Sequence, residues 1–332
     1  GASVLKQGPQ ALGRRPPSSP STAKAMELGT NIAQHLLNNV LVLLALFVAD
    51  RALIVPLVAA AAPKLTSKDL TAVRWFLVHS IANAGVCLTA LTSMRAVLLD
   101  PVQALDGRVY TDASLFGSAS AWPLTIINSV HLYHMVGGFA LTGADYFHHG
   151  LFIPTLGLPG QLLRWGPLAN WQAFFISGLP GGVDYLMLAL VKLGRLPPMT
   201  EKRLNANLNT WLRAPGILVA TVLLYQALLL GNHVVPLWAV GLQLVLPAYN
   251  ALYFNKQAVA NYAVHYMLEL LGQRDLIERR VEQRTSYTTG LEVMAWKDCA
   301  SGRPRREAYP VEGLRGNTAA WKEALGVPQR GS

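Results

Sequence analysis

Charge is scarce in this 332-residue chain: Asp, Glu, Lys and Arg together make up 14% of it, against roughly 25% in soluble domains. That scarcity excludes an ordinary soluble globular protein. Cysteine is scarcer still, with only Cys87 and Cys299. One falls in an apolar span and the other in a polar tail, which excludes a disulfide framework and a cysteine zinc site. Acidic residues are missing from the first 25 positions, which hold Lys6, Arg14, Arg15 and Lys24 among several Ser and Pro. Such a stretch reads as a mature organellar N-terminus, part of a transit-like segment, or an incomplete sequence.

What the chain has is apolar length. Hydrophobic residues make up 52%, and the mean hydropathy of +0.30 averages strongly apolar stretches with two polar ends. A helix needs about 20 apolar residues to cross a bilayer core. Windows of that kind run over 36–62 (interrupted by Asp50-Arg51), 75–99, 119–141, 168–193, 215–230 and 235–254. A shorter stretch, 147–163, is broken by Pro154, Gly157, Pro159 and Gly160. Spans in lipid must close their backbone hydrogen bonds internally, so the predicted fold is all-α: a polytopic transmembrane bundle of 6–7 helices. Leaving out 147–163 gives six passes and places the basic N-terminus, a basic 192–213 loop and the basic tail on one side, in keeping with the positive-inside rule. Counting it gives seven.

The sequence divides into a polar basic segment (1–35), the bundle (36–255), an amphipathic surface-helix region (256–285) and an extended basic tail (286–332). The surface helix is predicted from Val259, Tyr262, Ala263, Tyr266, Met267, Leu270 and Leu271, which share one helical face. Net charge is +10, but no nucleic-acid module accompanies the basic residues, so anionic headgroups are the expected partner and nucleic acid is not.

Ionisable groups inside membrane helices are costly and mark candidate sites. The stretch HLYHMVGGFALTGADYFHHG supplies His131, His134, Asp145, His148 and His149; FFISGLPGGVDYLMLALVK supplies Asp184 and Lys192. His131 and His134 are three apart and share a helix face, as do Asp145 and His148. A carboxylate beside an imidazole raises its basicity and fixes its tautomer, as a general base requires. His148, His149, Asp145 and Asp184 are therefore the catalytic candidates, and His131, His134 and Lys192 candidate contacts for lipid or substrate. The simpler account is that such groups glue helices together by hydrogen bonds of about 0.6 kcal/mol each. No cofactor and no metal are expected, because the remaining histidines, His79 among them, are scattered without box spacing. SGLPGG before Asp184 reads as a tight helix crossing, or as a break exposing backbone to a headgroup.

The His148-His149 pair, with Asp184 and Lys192 following, resembles the Lag motif of the TRAM-Lag1-CLN8 (TLC) domain family. That resemblance implies about six helices around a lipid-accessible cavity and, in the ceramide synthases of the family, acyl transfer from acyl-CoA to a sphingoid base. Here GLPGGVDY stands where the fuller signature has an HD pair and a Ser-Asp, which points to the non-synthase members linked to lipid sensing and membrane composition. The expected function is lipid handling in an endomembrane or a mitochondrial or plastid inner membrane. An accessory subunit of an organellar membrane complex, anchored on partners through Trp296, Trp321 and the basic tail, is the alternative; a transporter or channel is the third.

Overall fold

The computed structural model describes residues 32–270, apart from 105, 107, 140, 142 and 164. The basic N-terminal segment before residue 32 and the tail carrying Trp296, Cys299 and Trp321 lie outside the described residues. Seven helices follow one another: α1 Ile32–Ala61, α2 Ser67–Leu99, α3 Trp122–Val136, α4 over 143–162, α5 Pro167–Lys192, α6 Pro198–Leu230 and α7 Leu237–Leu270. Among the described residues there is no strand. Helices α1, α2, α5, α6 and α7 are long and apolar enough to cross a membrane, and the chain is an integral, multi-pass membrane bundle.

Local chemistry sets the helix ends. Thr66 accepts the Asp69 N–H at 3.1 Å and caps α2. Pro167 and Pro198 stand in the first turns of α5 and α6, where a missing N–H costs nothing. Gly231, at φ +67°, closes α6 in the left-handed conformation that glycine adopts without penalty.

The helices alternate in direction. Asp69 at the start of α2 meets Lys192 at the end of α5, 3.3 Å apart. At the other end the Leu168 N–H donates to the Ala104 carbonyl, and Val97, Ala104, Trp165, Leu168, Val235 and Ala239 share one core. The α3–α4 hairpin therefore leaves from and returns to the same end, and adds two passes or none. Either count is odd, so residues 32 and 270 lie at opposite ends of the bundle. The six-pass arrangement with both termini on one side is thus corrected, and so is the basic 192–213 loop: residues 198–213 are the first half of α6.

The outer surface is apolar, as lipid demands. Leu36, Leu44, Leu57, Leu88, Val222 and Leu229 are each more than half exposed, while Asn83, Asn128, Asn170, Asp184 and Asn209 are buried. Helix α7 makes the inversion plain. It runs straight through position 255, the boundary expected before a surface helix, and carries Val259 and Tyr266 exposed but Asn261 and His265 buried. The polar Asn261 and His265 thus face the bundle, while the charged Lys256 and Glu269 of the same stretch are exposed. Residues 271–285 of that region lie outside the described residues.

Among the described residues, four π-helical turns interrupt the helices: Ala49–Ile54, Ile153–Gly157, Phe174–Gly178 and Asn209–Arg213. The first turns Asp50 inward, where it is fully buried against Arg74 on α2. The other three sit on the wall of a central cavity.

Candidate functional site

A cavity of about 170 Å³ lies between α2 and the later helices. Asn83 marks the midpoint of α2, and Gly181 and Arg213 stand near the middles of α5 and α6, so the cavity is at mid-depth. Two kinds of residue line the walls: Leu124, Ile127, Phe152, Ile153, Leu156, Ile176 and Phe254 are apolar, whereas His79, Asn83, His131, His148, Gln172 and Arg213 are polar. Asp184 and Tyr185 complete the α5 face, and α7 adds Gln243 and Asn250.

Close approach of α2 to α5 makes this floor. Gly181 and Gly182 carry no Cβ, and the Ser80 hydroxyl donates to the Gly182 carbonyl at 3.0 Å. SGLPGG is therefore a tight crossing; the helix continues through it from the π-turn at Phe174–Gly178. Ser177, within that turn, donates to Asn83 Oδ1 at 2.8 Å and holds the amide against the cavity.

Histidines gather at the far side. His131 and His134 share a face of α3, as their spacing predicts, and α4 brings His148 and His149 beside them, with ring centroids 4.9 Å apart for His131–His149 and 5.6 Å for His131–His148. The fifth member is His79 of α2. Its Nδ1 lies 2.8 Å from the Trp75 carbonyl and 3.0 Å from His134 Nε2. His134 is sandwiched further, stacking on Trp75 with centroids 3.6 Å apart. These imidazoles pack against one another at tilted and edge-on angles, and among the described residues no group of three His, Cys, Asp or Glu side chains is arranged to hold a metal ion.

The expected site residues thus separate. His131, His148 and Asp184 line the cavity. His134, His149 and Asp145 are buried beside it and do not reach its wall. Lys192 is remote, at the end of α5 with Asp69. His131 has its Nδ1 2.6 Å from the Ile127 carbonyl; donation there leaves Nε2 as the nitrogen able to accept a proton.

Sequence reasoning missed His79, Asn83, Gln172 and Arg213. A signal for Arg213 was present: Glu201, Asn205, Asn209 and Arg213 recur every four residues, the period of one helix face. All four are buried and bonded in series, with Asn209 donating to Asn205 Oδ1 and Arg213 to Asn209 Oδ1, each at 2.6 Å. Glu201 is also ion-paired with Lys202.

A second buried cluster stands outside the cavity. Arg74 binds both carboxylate oxygens of Asp50, and the Tyr133 hydroxyl donates to Oδ2 at 2.7 Å. Arg51, on the same turn, reaches the Gly137 carbonyl at 3.3 Å. This cluster clamps α1, α2 and α3 and accounts for the charged interruption in the first apolar window. Comparison of the chain with protein families, with curated proteins and with solved structures yields no match.

Proposed function

We infer that the protein handles lipid: the bundle receives the polar end of an amphiphile in its central cavity, with the chain of the ligand along the apolar wall. One observation carries this reading, the presence of a hollow midway along the helices, lined by both polar and apolar side chains, inside a bundle whose exterior is apolar. Buried polar groups in lipid are expensive unless partnered, and a ligand headgroup partners them. The positions of His148 and Asp184 on that wall, at the spacing of the Lag-like motif, support a TLC-like reading. Lys192, at the bundle end, takes no part in the cavity.

If the protein catalyses acyl transfer, His148 or His131 is the base, since these imidazoles face the cavity; His149 acts through its neighbours as a positioning residue. The test is lipid retained by the purified protein, together with acyl transfer, for His148→Ala and His149→Ala. The reading expects His148→Ala to lower both more than His149→Ala. Equal lipid retention by the parent and both variants, with no lipid bound to any of them, overturns it.

Transport is the second reading, favoured by the mid-depth position of the cavity and by the interrupted helices around it, both of which transporter sites share. Flux of a labelled amphiphile between the leaflets of proteoliposomes separates transport from binding.

A further inference from the structure

The cavity carries an unbalanced set of donors. Asn83, Gln172 and Arg213 are each more than nine-tenths buried and line the same hollow. Asn83 Nδ2, Gln172 Nε2 and Arg213 Nε have no hydrogen-bond partner. The Ser177 hydroxyl occupies Asn83 Oδ1, so the amide nitrogen is the unpartnered end of the side chain. Arg213 is held by one bond, from Nη1 to Asn209 Oδ1, and Asn209 is itself held by Asn205.

Asn83 Nδ2 and a second nitrogen of the Arg213 guanidinium, Nη2, meet over Gly181. A Cβ there would lie 3.0 Å from Asn83 Nδ2 and 3.6 Å from Arg213 Nη2, so the missing side chain leaves a cradle between an amide and a guanidinium. Unpartnered N–H groups at mid-depth, one of them cationic, call for an acceptor with negative charge. A planar carboxylate accepts two parallel bonds from such a fork. Asp184 lies on the same α5 face, three positions beyond Gly181, and lines the same hollow.

Resting on the lipid-handling reading, we propose that the Arg213–Asn83 corner binds the carboxylate of a single-chain fatty acid, with the acyl chain lying along Leu124, Ile127, Ile153, Leu156 and Phe254.

The test uses the full chain in nanodiscs of zwitterionic lipid, with cis-parinaric acid as the fluorescent probe and oleate, oleyl alcohol or acetate as competitor. Oleate should displace the probe at least tenfold more effectively than oleyl alcohol, and acetate should not displace it. Arg213→Gln should weaken oleate about tenfold while leaving oleyl alcohol unchanged. Gly181→Ala, which fills the cradle, should weaken oleate in the same selective way. Equal competition by oleate and oleyl alcohol in the unmodified protein overturns the carboxylate site and leaves the lipid-handling reading standing. Competition by acetate as strong as by oleate shows a site for small carboxylates and overturns the fatty acid. Failure of the probe to bind overturns both readings together.

Discussion

Arg74 grips Asp50 with two hydrogen bonds, 2.8 Å from Nε to Oδ1 and 2.5 Å from Nη2 to Oδ2, and the carboxylate is wholly buried. A pair of this kind gains little over apolar residues of similar size, yet removing one partner strands a charge away from water. Asp50→Ala or Arg74→Met alone should therefore cost about 3–5 kcal/mol. The double replacement Asp50→Leu with Arg74→Met should fall close to the parent. Thermal unfolding in detergent, followed by helical circular dichroism, checks both. Losses that simply add in the double variant would show that the two side chains do not act as a pair.

Glycine positions separate close approach from backbone freedom. A Cβ on Gly216 would lie 2.2 Å from the Phe175 ring, whereas one on Gly241 would meet nothing within 4 Å. Alanine is favoured over glycine inside a helix by about 1 kcal/mol, and a forced shift of packed groups costs about 1–3 kcal/mol. Gly216→Ala is thus expected to lower the melting temperature and Gly241→Ala to raise it or leave it unchanged.

Sidedness can be read by single cysteines in a Cys87→Ser, Cys299→Ser background. Gln103, between α2 and α3, and His233, between α6 and α7, belong to one end of the bundle; Arg195, between α5 and α6, belongs to the other. Cysteines at 103 and 233 should react with an impermeant maleimide from one side of sealed vesicles, and a cysteine at 195 from the opposite side. Lys64, Lys68, Lys192, Arg195, Lys202 and Arg203 cluster at the 195 end, the end that the positive-inside rule expects to remain untranslocated. Labelling of 103 and 195 from the same side would restore the six-pass arrangement.

Much of this fold is legible in the sequence because lipid imposes a simple code. Apolar length marks α1, α2 and α5, and the pair His131/His134 declares a shared face through its spacing. Where polar residues line the interior, the same code misleads. Residues 198–213 look like a basic loop because Glu201, Lys202, Asn205, Asn209 and Arg213 are polar, and only their four-residue recurrence reveals a helix. The stripe on α7 has helical period, but period alone does not say whether apolar side chains face protein or lipid. His79 looks isolated in sequence and joins the histidines of α3 and α4 only through packing of α2, a long-range relation that no local pattern encodes. Likewise, His148 and His149 are indistinguishable as neighbours in a motif. The turn of α4 points one at the cavity and buries the other.

Photocrosslinking tests the central claim, that the interior hollow receives an amphiphile, most directly. A fatty acid analogue with a diazirine near its carboxylate is irradiated with the unmodified protein in nanodiscs, and the adducts are mapped by peptide mass spectrometry. Adducts on the cavity wall, at Ile153, Leu156 or Ile176, competed away by oleate, are the expected result. Adducts confined to lipid-facing positions such as Leu36, Leu44 and Val222, insensitive to oleate, would contradict it.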